Sequence, residues 1–473
     1  MRYMVVITQA NLDQIDQVCG GLGFEIRLDT FASRPDLLAL RKRTTAPLLA
    51  TYRSKTHCGE ADPADRPTIG WEWRLAALRA GFDGVDLEMD EPFLGDRLRE
   101  IHDLGGWSVL SHHEVKAGVN LLDRLKGSLK LNSEVIKIIG TGSRAADFQQ
   151  QRKAYEIAGS RKLILFFMGD DFKATRLVSR LLGAPFTFVL PPGADQVAPG
   201  IPTLEECKSL YALDSVVDHG AFWFGVVGKP IGHSKSPGFH NPLLKAMDPG
   251  ALFLPFPVAK SELEPFLECF PNMLGLAVTK PLKEEAFALA NRFVDQAVAG
   301  LGAVNTLLRD GDDWVGGNTD YAAMKAILSE VPAGSLVRVV GYGGLGKAVV
   351  LACLELGLQV EVTNRSENRL AGLDPRVRVV PWAERHRSGV QVLVQATSVG
   401  MAPELDRTPL STIPQGVALL VETIYNPEET KLMTMAKQQG IPVVDGLALF
   451  NKQAAIQNGY FQQVLKKSLN RHA

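Results

Sequence analysis

Short apolar runs rich in β-branched residues alternate, along the first half of the chain, with longer stretches whose apolar residues recur at helical spacing. Eight such runs predict strands, at residues 4–8, 24–29, 48–53, 84–88, 107–113, 134–139, 162–169 and 185–191. Amphipathic segments between them, such as 96–103 and 145–158, predict helices. Eight strand–helix units in roughly 210 residues are typical of a (β/α)8 barrel, an α/β fold. A doubly wound open sheet is the competing interpretation.

Polar residues lie near the carboxyl ends of several predicted strands, where the active sites of such barrels form. His113 ends the fifth strand, and Lys137 interrupts the apolar run VIKII of the sixth. Burial lowers the pKa of an ammonium group, so Lys137 is a candidate Schiff-base nucleophile. Taken singly, Lys137 would be an outward-facing strand residue and His113 a structural histidine. Further polar residues at these ends are Glu25, Arg27, Arg53, Asp86 and Glu88.

Six short motifs in this half resemble type I 3-dehydroquinate dehydratase: E-x-R-x-D at 25–29, TYR at 51–53, S-x-H at 111–113, V-x-K-I at 135–138, MG at 168–169 followed by TR at 175–176, and G-x-PFTF at 183–188. The resemblance implies that Lys137 forms the Schiff base with the substrate ketone and that His113 is the general acid and base. It also implies the residues that hold the substrate hydroxyls and carboxylate, namely Glu25, Arg27, Arg53 and Arg176.

Two segments depart from that family. His57-Cys58-Gly59 stands where the family has Glu-Gly-Gly, so His57 replaces an acidic residue that assists the histidine. Val197 and Ile201 replace the two polar residues of the closing loop. An impaired or altered dehydratase is therefore an alternative to an active one.

A proline- and glycine-containing linker over 189–206 marks the end of the barrel, and a new unit begins near residue 222. Ser234 and Ser236 precede Pro237 at a predicted helix start, where hydroxyl and N–H groups can bind a carboxylate or simply cap the helix. Lys283 and Asp320 each lie at a strand-to-helix junction. Brought together they would form a proton-transfer pair, whereas singly each would be a solvated charge or a cap.

An apolar strand that ends at Val340 is followed by Gly341, Gly343 and Gly346 in the spacing G-x-G-x-x-G, and then by an apolar helix. This order suits a dinucleotide pyrophosphate at a helix N-terminus, although a glycine turn alone can be purely structural. The next strand ends in Asn364-Arg365-Ser366. Arginine and serine at that position favour the 2′-phosphate of NADP.

The second half resembles shikimate dehydrogenase from about residue 222 onward, through GKPIGHSKSP, VTKPLK, GAVNT, NTD, ATSVGM and DGL. The resemblance implies Lys283 and Asp320 as the catalytic pair. The implied substrate contacts are Ser234, Ser236, Thr279, Asn305, Asp320, Tyr425 and Gln453. The implied NADP contacts are Gly341, Gly343, Gly344, Leu345, Gly346, Asn364, Arg365, Ser366, Thr397 and Met401. Ala277, Gln395 and Glu422 depart from the family's asparagine, asparagine and aspartate.

Composition and charge limit the classes of binding partner that the chain is expected to have. The 473 residues carry 51 Lys+Arg and 52 Asp+Glu, so the net charge of -1 offers no basic field for nucleic acid or an anionic membrane. The five cysteines form no metal-binding spacing and suit a reducing cytoplasm. No apolar stretch approaches the ~20 residues of a membrane span, and the N-terminus does not predict a signal peptide. Neither resemblance implies a metal.

The two resemblances together imply a bifunctional enzyme that dehydrates 3-dehydroquinate and then reduces 3-dehydroshikimate to shikimate with NADPH. We expect a barrel over 1–213, a substrate-binding lobe over 222–320 with a C-terminal helix over 446–473, and an NADP-binding lobe over 321–445. A dehydrogenase half that accepts quinate is one alternative. A ligand-sensing regulator with dead sites is another. The oligomeric state stays open.

Overall fold

Eight parallel strands form one sheet in the first part of the computed structural model, which describes residues 2–17, 21–216, 222–232 and 234–472. The strands are β1 (Tyr3–Ile7), β2 (Leu22–Arg27), β3 (Leu48–Thr51), β4 (Gly84–Glu88), β5 (Trp107–Ala117), β6 (Val135–Thr141), β7 (Lys162–Met168) and β8 (Thr187–Val189). Their order is β7-β6-β5-β4-β3-β2-β1-β8, so the last strand returns to the first. This is the order of a barrel, and the barrel prediction is confirmed. The open-sheet alternative is wrong.

Six α-helices lie between these strands: α1 (Leu37–Arg43), α2 (Trp71–Arg79), α3 (Leu94–Asp103), α4 (Leu122–Ser128), α5 (Ala146–Ala158) and α6 (Lys173–Leu181). The β1–β2 connection is a 3-10 helix, Gln9–Asp16, and a π-helix, Glu206–Leu210, follows β8. The expectation of eight strand–helix units is therefore correct for the strands but not for every helix. The 3-10 helix Gln9–Asp16 has a single buried residue, Ile15, which is too little apolar surface to fasten an amphipathic α-helix to the barrel.

Apolar side chains fill the barrel interior, and polar ones collect at its carboxyl end. The filled part includes Met4, Val6, Leu49, Val109 and Ile164, all nearly fully buried. Because strand side chains alternate between the two faces, the register decides which polar residues meet. Lys137 lies level with Ser111 of β5, and Ser111 lies level with Glu88 of β4.

The first compact unit continues past the barrel to Met273. It contains the parallel strands β9 (Phe222–Gly228) and β10 (Ala251–Pro257) and the helices α7 (Ser236–Lys245) and α8 (Leu263–Glu268). The ring of Phe148 on α5 contacts Phe256, Phe266 and Phe270 edge-on, at centroid distances of 5.5, 5.9 and 5.7 Å. These aromatic contacts tie the chain after the linker to the barrel.

The second unit, residues 274–473, contains a mixed sheet and a parallel sheet. Its mixed sheet includes β11 (Met273–Val278), β12 (Arg292–Phe293), β13 (Thr306–Asp310) and β14 (Asp313–Gly317). The parallel sheet is built from β15 (Leu336–Val340), β16 (Gln359–Thr363), β17 (Arg378–Val379), β18 (Val392–Gln395), β19 (Leu419–Glu422) and β20 (Val443–Val444). Its order, β17-β16-β15-β18-β19-β20, is that of a Rossmann fold, which confirms the prediction.

Five helices complete the second unit: α9 (Lys283–Leu289), α10 (Thr319–Leu328), α11 (Gly344–Glu355), α12 (Lys431–Gln438) and α13 (Gly446–His472). The division by compactness at residues 273 and 274 differs from the motif-based limits near 213 and 222, which stay a prediction. Among the described residues, no helix has the length and apolar character needed to cross a bilayer.

Candidate active sites

Lys137 lies at the carboxyl end of the barrel interior, where its side chain is 4 % exposed. Its Nζ lies 3.3 Å from Asp86 Oδ2, 3.7 Å from Glu25 Oε1 and 4.0 Å from the centre of the Phe188 ring. Burial and the nearby Arg53 lower the pKa of Lys137, although the two carboxylates oppose this shift. A lysine with a lowered pKa loses its proton more readily and can act as a nucleophile.

Arg53 and Asp86 form the ionic centre of this cavity. An N–H of Arg53 donates to Asp86 Oδ2 at 2.7 Å, and another donates to Ser111 Oγ at 3.0 Å. Ser111 Oγ in turn donates to Asp86 Oδ1 at 2.6 Å. Burial opposes the charge of Asp86, but Arg53 and Lys137 outweigh it and lower its pKa. The carboxylate is therefore ionised and fixed between two cations.

His113 stands beside this centre, with Nδ1 3.1 Å from an N–H of Arg53. Burial and the positive charges of Arg53 and Lys137 hold the pKa of His113 well below its usual value. The ring is therefore neutral near pH 7 and able to accept a proton. The backbone N–H of His113 donates to Nδ1 of His57 at 3.2 Å, and Nε2 of His57 lies 3.3 Å from Asp90 Oδ1.

The arginines of the cavity differ in their partners. Arg27 donates to both carboxylate oxygens of Asp29, at 2.9 and 2.7 Å. Arg176 is 3 % exposed, lies 4.2 Å from the centre of the Phe166 ring and donates to Pro199 O at 3.2 Å. No carboxylate among the described residues lies within ion-pair distance of it, and burial lowers its pKa to about 9. Arg176 is thus the cavity arginine open to an anionic ligand.

The segment over 197–201 covers part of this cavity. Val197, Ala198 and Ile201 line it, and Ile201 is 3 % exposed against the barrel core. The two departures from the family loop therefore cover the cavity with apolar side chains, which hold the segment partly by packing. All six residues predicted for this half line the same cavity: Glu25, Arg27, Arg53, His113, Lys137 and Arg176.

In the second unit, Lys283 and Asp320 form a close ion pair. Lys283 begins α9, Asp320 lies in the first turn of α10, and Nζ is 2.5 Å from Oδ2. The side chains are 24 % and 15 % exposed. The pair is thus partly open, as a pair that exchanges protons with a ligand must be.

Hydrogen bonds between the GAVNT and NTD segments hold this pair in place. Asn305 Oδ1 accepts from the N–H of Thr319 at 2.8 Å, and Asn305 Nδ2 donates to Thr319 Oγ1 at 3.0 Å. Thr319 Oγ1 donates to Gln453 Oε1 on α13 at 2.9 Å. The backbone O of Lys283 accepts from the N–H of Val304 at 2.9 Å. Three segments distant in the sequence therefore converge on Lys283 and Asp320.

The glycine turn after β15 has the shape that a phosphate group requires. Gly341 has φ 101°, and a Cβ there would lie 2.7 Å from Thr397 Cγ2. A Cβ at Gly346 would lie 2.2 Å from Gly341 O, whereas one at Gly343 would meet open space. Within the described parts of the chain, no side chain caps the start of α11. Lys283 Cδ lies 3.6 Å from the Cβ position of Gly344, so the turn adjoins the proton-transfer pair.

The predicted 2′-phosphate residues follow β16. Asn364 Oδ1 accepts from the N–H of Tyr342 at 3.0 Å, and its Nδ2 donates to Ser366 O at 2.8 Å, which fixes this loop against the glycine turn. Arg365 and Ser366 are exposed. The hydroxyl of Thr397 accepts from the N–H of Val399 at 3.1 Å, and Met401 is 45 % exposed.

The other residues predicted to contact the substrate lie on different segments of the chain. Ser234 and Ser236 belong to the first unit, on the segment that leads into α7, and His233 of that motif lies outside the described residues. Thr279 follows β11, and burial raises the pKa of Tyr425. The ring centre of Tyr425 lies 5.4 Å from that of Phe450.

Comparison with known proteins finds a different family match for each half of the chain. The family model of type I 3-dehydroquinase matches residues 4–218, and that of the shikimate dehydrogenase substrate binding domain matches residues 226–307. A bifunctional 3-dehydroquinate dehydratase/shikimate dehydrogenase of Arabidopsis thaliana is 29% identical over 467 residues, which cover 91% of this chain and 76% of that protein. The chain belongs to this bifunctional family.

Single-function relatives match the dehydrogenase half. A shikimate dehydrogenase (NADP(+)) of Synechocystis sp. is 33% identical over 253 residues, covering 49% of this chain and 87% of that protein. One of Oleidesulfovibrio alaskensis is 37% identical over 247 residues, covering 50% of this chain and 87% of that protein. Both resemblances inferred from the sequence are confirmed.

The structure also shows what the sequence did not assign. Asp86 and Ser111 complete the dehydratase centre, and the strand alternation that places Lys137 inward could have indicated both. In the dehydrogenase half, buried Gln395 accepts from the N–H of Thr397 at 2.7 Å and donates to Val399 O at 3.1 Å. Glu422 accepts from Thr430 Oγ1 at 2.8 Å, and burial raises its pKa. These two departures thus shape the loops beside the glycine turn and Tyr425.

Proposed function

We propose that this chain dehydrates 3-dehydroquinate to 3-dehydroshikimate in its barrel and reduces 3-dehydroshikimate to shikimate with NADPH in its dehydrogenase half. The single observation that carries the first activity is the cavity in which a lysine of lowered pKa, a neutral histidine and an arginine with no described carboxylate partner meet. The close Lys283–Asp320 pair beside the glycine turn carries the second.

In the dehydratase half, the neutral amine of Lys137 attacks the ketone carbon of the substrate, water leaves as the imine forms, and the imine nitrogen takes up one proton from solvent to become the iminium. His113 takes the proton from the carbon next to the imine, and the electron pair moves toward the iminium nitrogen. The hydroxyl on the next carbon then leaves as water with the proton that His113 returns. Hydrolysis of the imine releases the product and restores Lys137.

Substrate binding in the barrel follows from the charges. Arg176 binds the substrate carboxylate with two parallel N–H groups, which suits an arginine that no described carboxylate pairs with. Glu25, Arg27 and Arg53 hold the hydroxyls. Asp86 stays ionised and stabilises the iminium cation that forms on Lys137, whose nitrogen lies 3.3 Å from it.

The residues of the second unit fit NADP. The free N–H groups at the start of α11 and the uncovered Gly343 suit the pyrophosphate, and Arg365 and Ser366 suit the 2′-phosphate. Bound NADPH supplies the hydride. Lys283 donates a proton to the carbonyl oxygen of the substrate, and Asp320 keeps the ammonium group oriented at 2.5 Å. Substrate contacts are assigned to Ser234, Ser236, Thr279, Asn305, Tyr425 and Gln453.

The described cysteines 58, 207, 269 and 353 are free thiols, which supports a reducing cytoplasm as the place of this reaction. The activity is tested by adding 3-dehydroquinate and NADPH to the purified protein and following NADPH oxidation. Oxidation requires both halves. Borohydride added with 3-dehydroquinate should trap the substrate covalently on Lys137. A signal with 3-dehydroshikimate but none with 3-dehydroquinate, together with no trapped adduct, would favour the impaired-dehydratase alternative and refute the first half of the proposal.

A further inference from the structure

The turn between β7 and α6, residues 169–172, is held firmly in the barrel. Gly169 has φ 133°, and its O accepts from the N–H of Phe172 at 2.9 Å. Phe172 is 3 % exposed, and its ring stacks on that of Phe148 at 6.4 Å. A Cβ at Gly142 would lie 2.2 Å from the same ring. The two aspartates at the tip of the turn therefore start from a fixed backbone.

Asp170, the first of these aspartates, faces the dehydratase. Its Oδ1 accepts from the N–H of Gly200 at 3.1 Å, in the segment that covers the Lys137 cavity. Next to it, the N–H of Gly169 lies 3.5 Å from Pro199 O. Asp170 thus fastens the cover of the dehydratase site to the barrel.

Asp171, the second aspartate, contacts a segment of the dehydrogenase half within the same compact unit. Its Oδ1 accepts from the N–H groups of Ile231 and Gly232, at 3.2 and 3.1 Å. A Cβ at Gly232 would lie only 3.3 Å from that oxygen, so the backbone lies directly against the carboxylate. Ile231 is 5 % exposed. One carboxylate oxygen therefore fixes two successive peptide groups.

The hydrogen bonds continue from this point to the two serines of the motif. Ile231 O accepts from the N–H of Ser234 at 3.1 Å. Ser234 Oγ accepts from the N–H of Ser236 at 3.3 Å, at the start of α7. A series of contacts thus runs from the barrel carboxylate to the hydroxyl of Ser234 and the backbone N–H of Ser236.

We propose that Asp171, a residue of the dehydratase barrel, is a positioning residue for the dehydrogenase, because it holds Ile231 and Gly232 and, through Ile231, keeps Ser234 and Ser236 in the conformation that binds the substrate. The inference rests on the proposed function, which assigns these serines to the substrate. When a segment is already ordered before the substrate binds, no binding free energy is used to order it, and affinity is higher. Hydrogen bonds to a carboxylate are the stronger kind, so Asp171 is suited to this role.

The test uses the full chain with Asp171→Ala, Asp171→Asn and the matched control Asp170→Ala, and measures shikimate oxidation with NADP alongside dehydration of 3-dehydroquinate. Asp171→Ala should raise KM for shikimate about tenfold, since two charge-assisted hydrogen bonds are lost. Its kcat and its KM for NADP should change less than about twofold. Asp171→Asn keeps an acceptor oxygen and should recover most of the loss.

The two activities serve as controls for each other. Asp171→Ala should keep the dehydratase kcat/KM, which shows that the barrel is folded. Asp170→Ala should lower the dehydratase kcat/KM and leave KM for shikimate unchanged. An unchanged KM for shikimate in Asp171→Ala would overturn the proposal, as would equal increases in Asp171→Ala and Asp170→Ala.

Absence of shikimate oxidation in the unaltered protein would instead refute the proposed function, and amide hydrogen exchange then decides the positioning role. Faster exchange across 231–236 in Asp171→Ala than in the unaltered chain supports the role of Asp171. Equal exchange overturns it.

Discussion

Replacing Arg176 by methionine should lower dehydratase activity and raise stability at the same time. The side chain is buried with no carboxylate partner among the described residues, and burial lowers its pKa to about 9. At about 1.4 kcal/mol per pKa unit, burial of this charge opposes folding by roughly 5 kcal/mol. Because the pKa in the folded state lies below that of the unfolded state, the penalty is fully present at pH 7 and is relieved only above about pH 9.

Part of this penalty is already offset. The guanidinium lies 4.2 Å from the centre of the Phe166 ring and donates to Pro199 O. These two contacts together stabilise the folded state by on the order of 2–3 kcal/mol. Arg176→Met keeps the length of the side chain and its apolar packing. We therefore expect the free energy of unfolding to rise by about 1–3 kcal/mol.

The same substitution removes the group that binds the substrate carboxylate. Two charge-assisted hydrogen bonds are worth about 3–6 kcal/mol, so the dehydratase kcat/KM should fall by roughly 10² to 10⁴. Shikimate oxidation with NADP should not change. Dehydratase activity is measured by steady-state kinetics. The free energy of unfolding is measured by urea titration, with a spectroscopic signal that reports on the barrel.

Arg27→Met is the matched control. Arg27 is paired with both oxygens of Asp29, whose side chain is fully buried, so removing the arginine leaves an uncompensated carboxylate. That variant should lose about 3–5 kcal/mol. Equal destabilisation of the barrel by Arg176→Met and Arg27→Met would contradict the prediction, as would an Arg176→Met variant whose dehydratase kcat/KM stays within about tenfold of the original value.

Three further outcomes follow from the geometry. The pKa of His113 is held well below 6.5, so the ring loses its ability to accept a proton only as the pH falls through that lowered pKa. The acidic limb of the dehydratase kcat/KM profile should therefore lie below pH 6.5. An acidic limb at or above pH 6.5 would contradict this prediction. Lys283→Ala should lower the dehydrogenase kcat by about 10²–10⁴ while borohydride trapping on Lys137 persists; loss of both activities would indicate a folding defect instead. Arg365→Ala should raise KM for NADP about tenfold and leave KM for NAD unchanged, and a parallel increase for both cofactors would exclude a specific 2′-phosphate contact.

The local pattern of apolar and polar residues was sufficient to predict the barrel strands and the candidate catalytic residues. Apolar runs of four to eight residues predict buried strands, and all eight of the barrel were found near their predicted limits. Since parallel strands present their carboxyl ends at one edge, residues such as His113 and Lys137 could be placed together before any distance was known. The glycine turn was equally readable, because strand, turn and helix are contiguous in the sequence.

Helices were predicted less well where the apolar stripe is short. The β1–β2 connection contains the 3-10 helix Gln9–Asp16, in which Ile15 is the one buried residue and does not fasten a full α-helix. The limits of the compact units also depend on contacts such as those of Phe148 with Phe256 and Phe266, which join segments about a hundred residues apart. A local window cannot contain such pairs.

The sequence by itself determined the two folds, the two families and the residue types that carry the chemistry, because these depend on periodicity and on short contiguous motifs. Only the tertiary structure decided which charges are paired. Three arginines look equivalent in the sequence, yet Arg27 is neutralised by Asp29, Arg53 by Asp86, and Arg176 by no described carboxylate. The pKa of Lys137, the neutrality of His113 and the contact of Asp171 with Gly232 likewise depend on distances across the fold. Electrostatic energies vary with separation and burial, and neither quantity is a property of a residue's neighbours in the sequence.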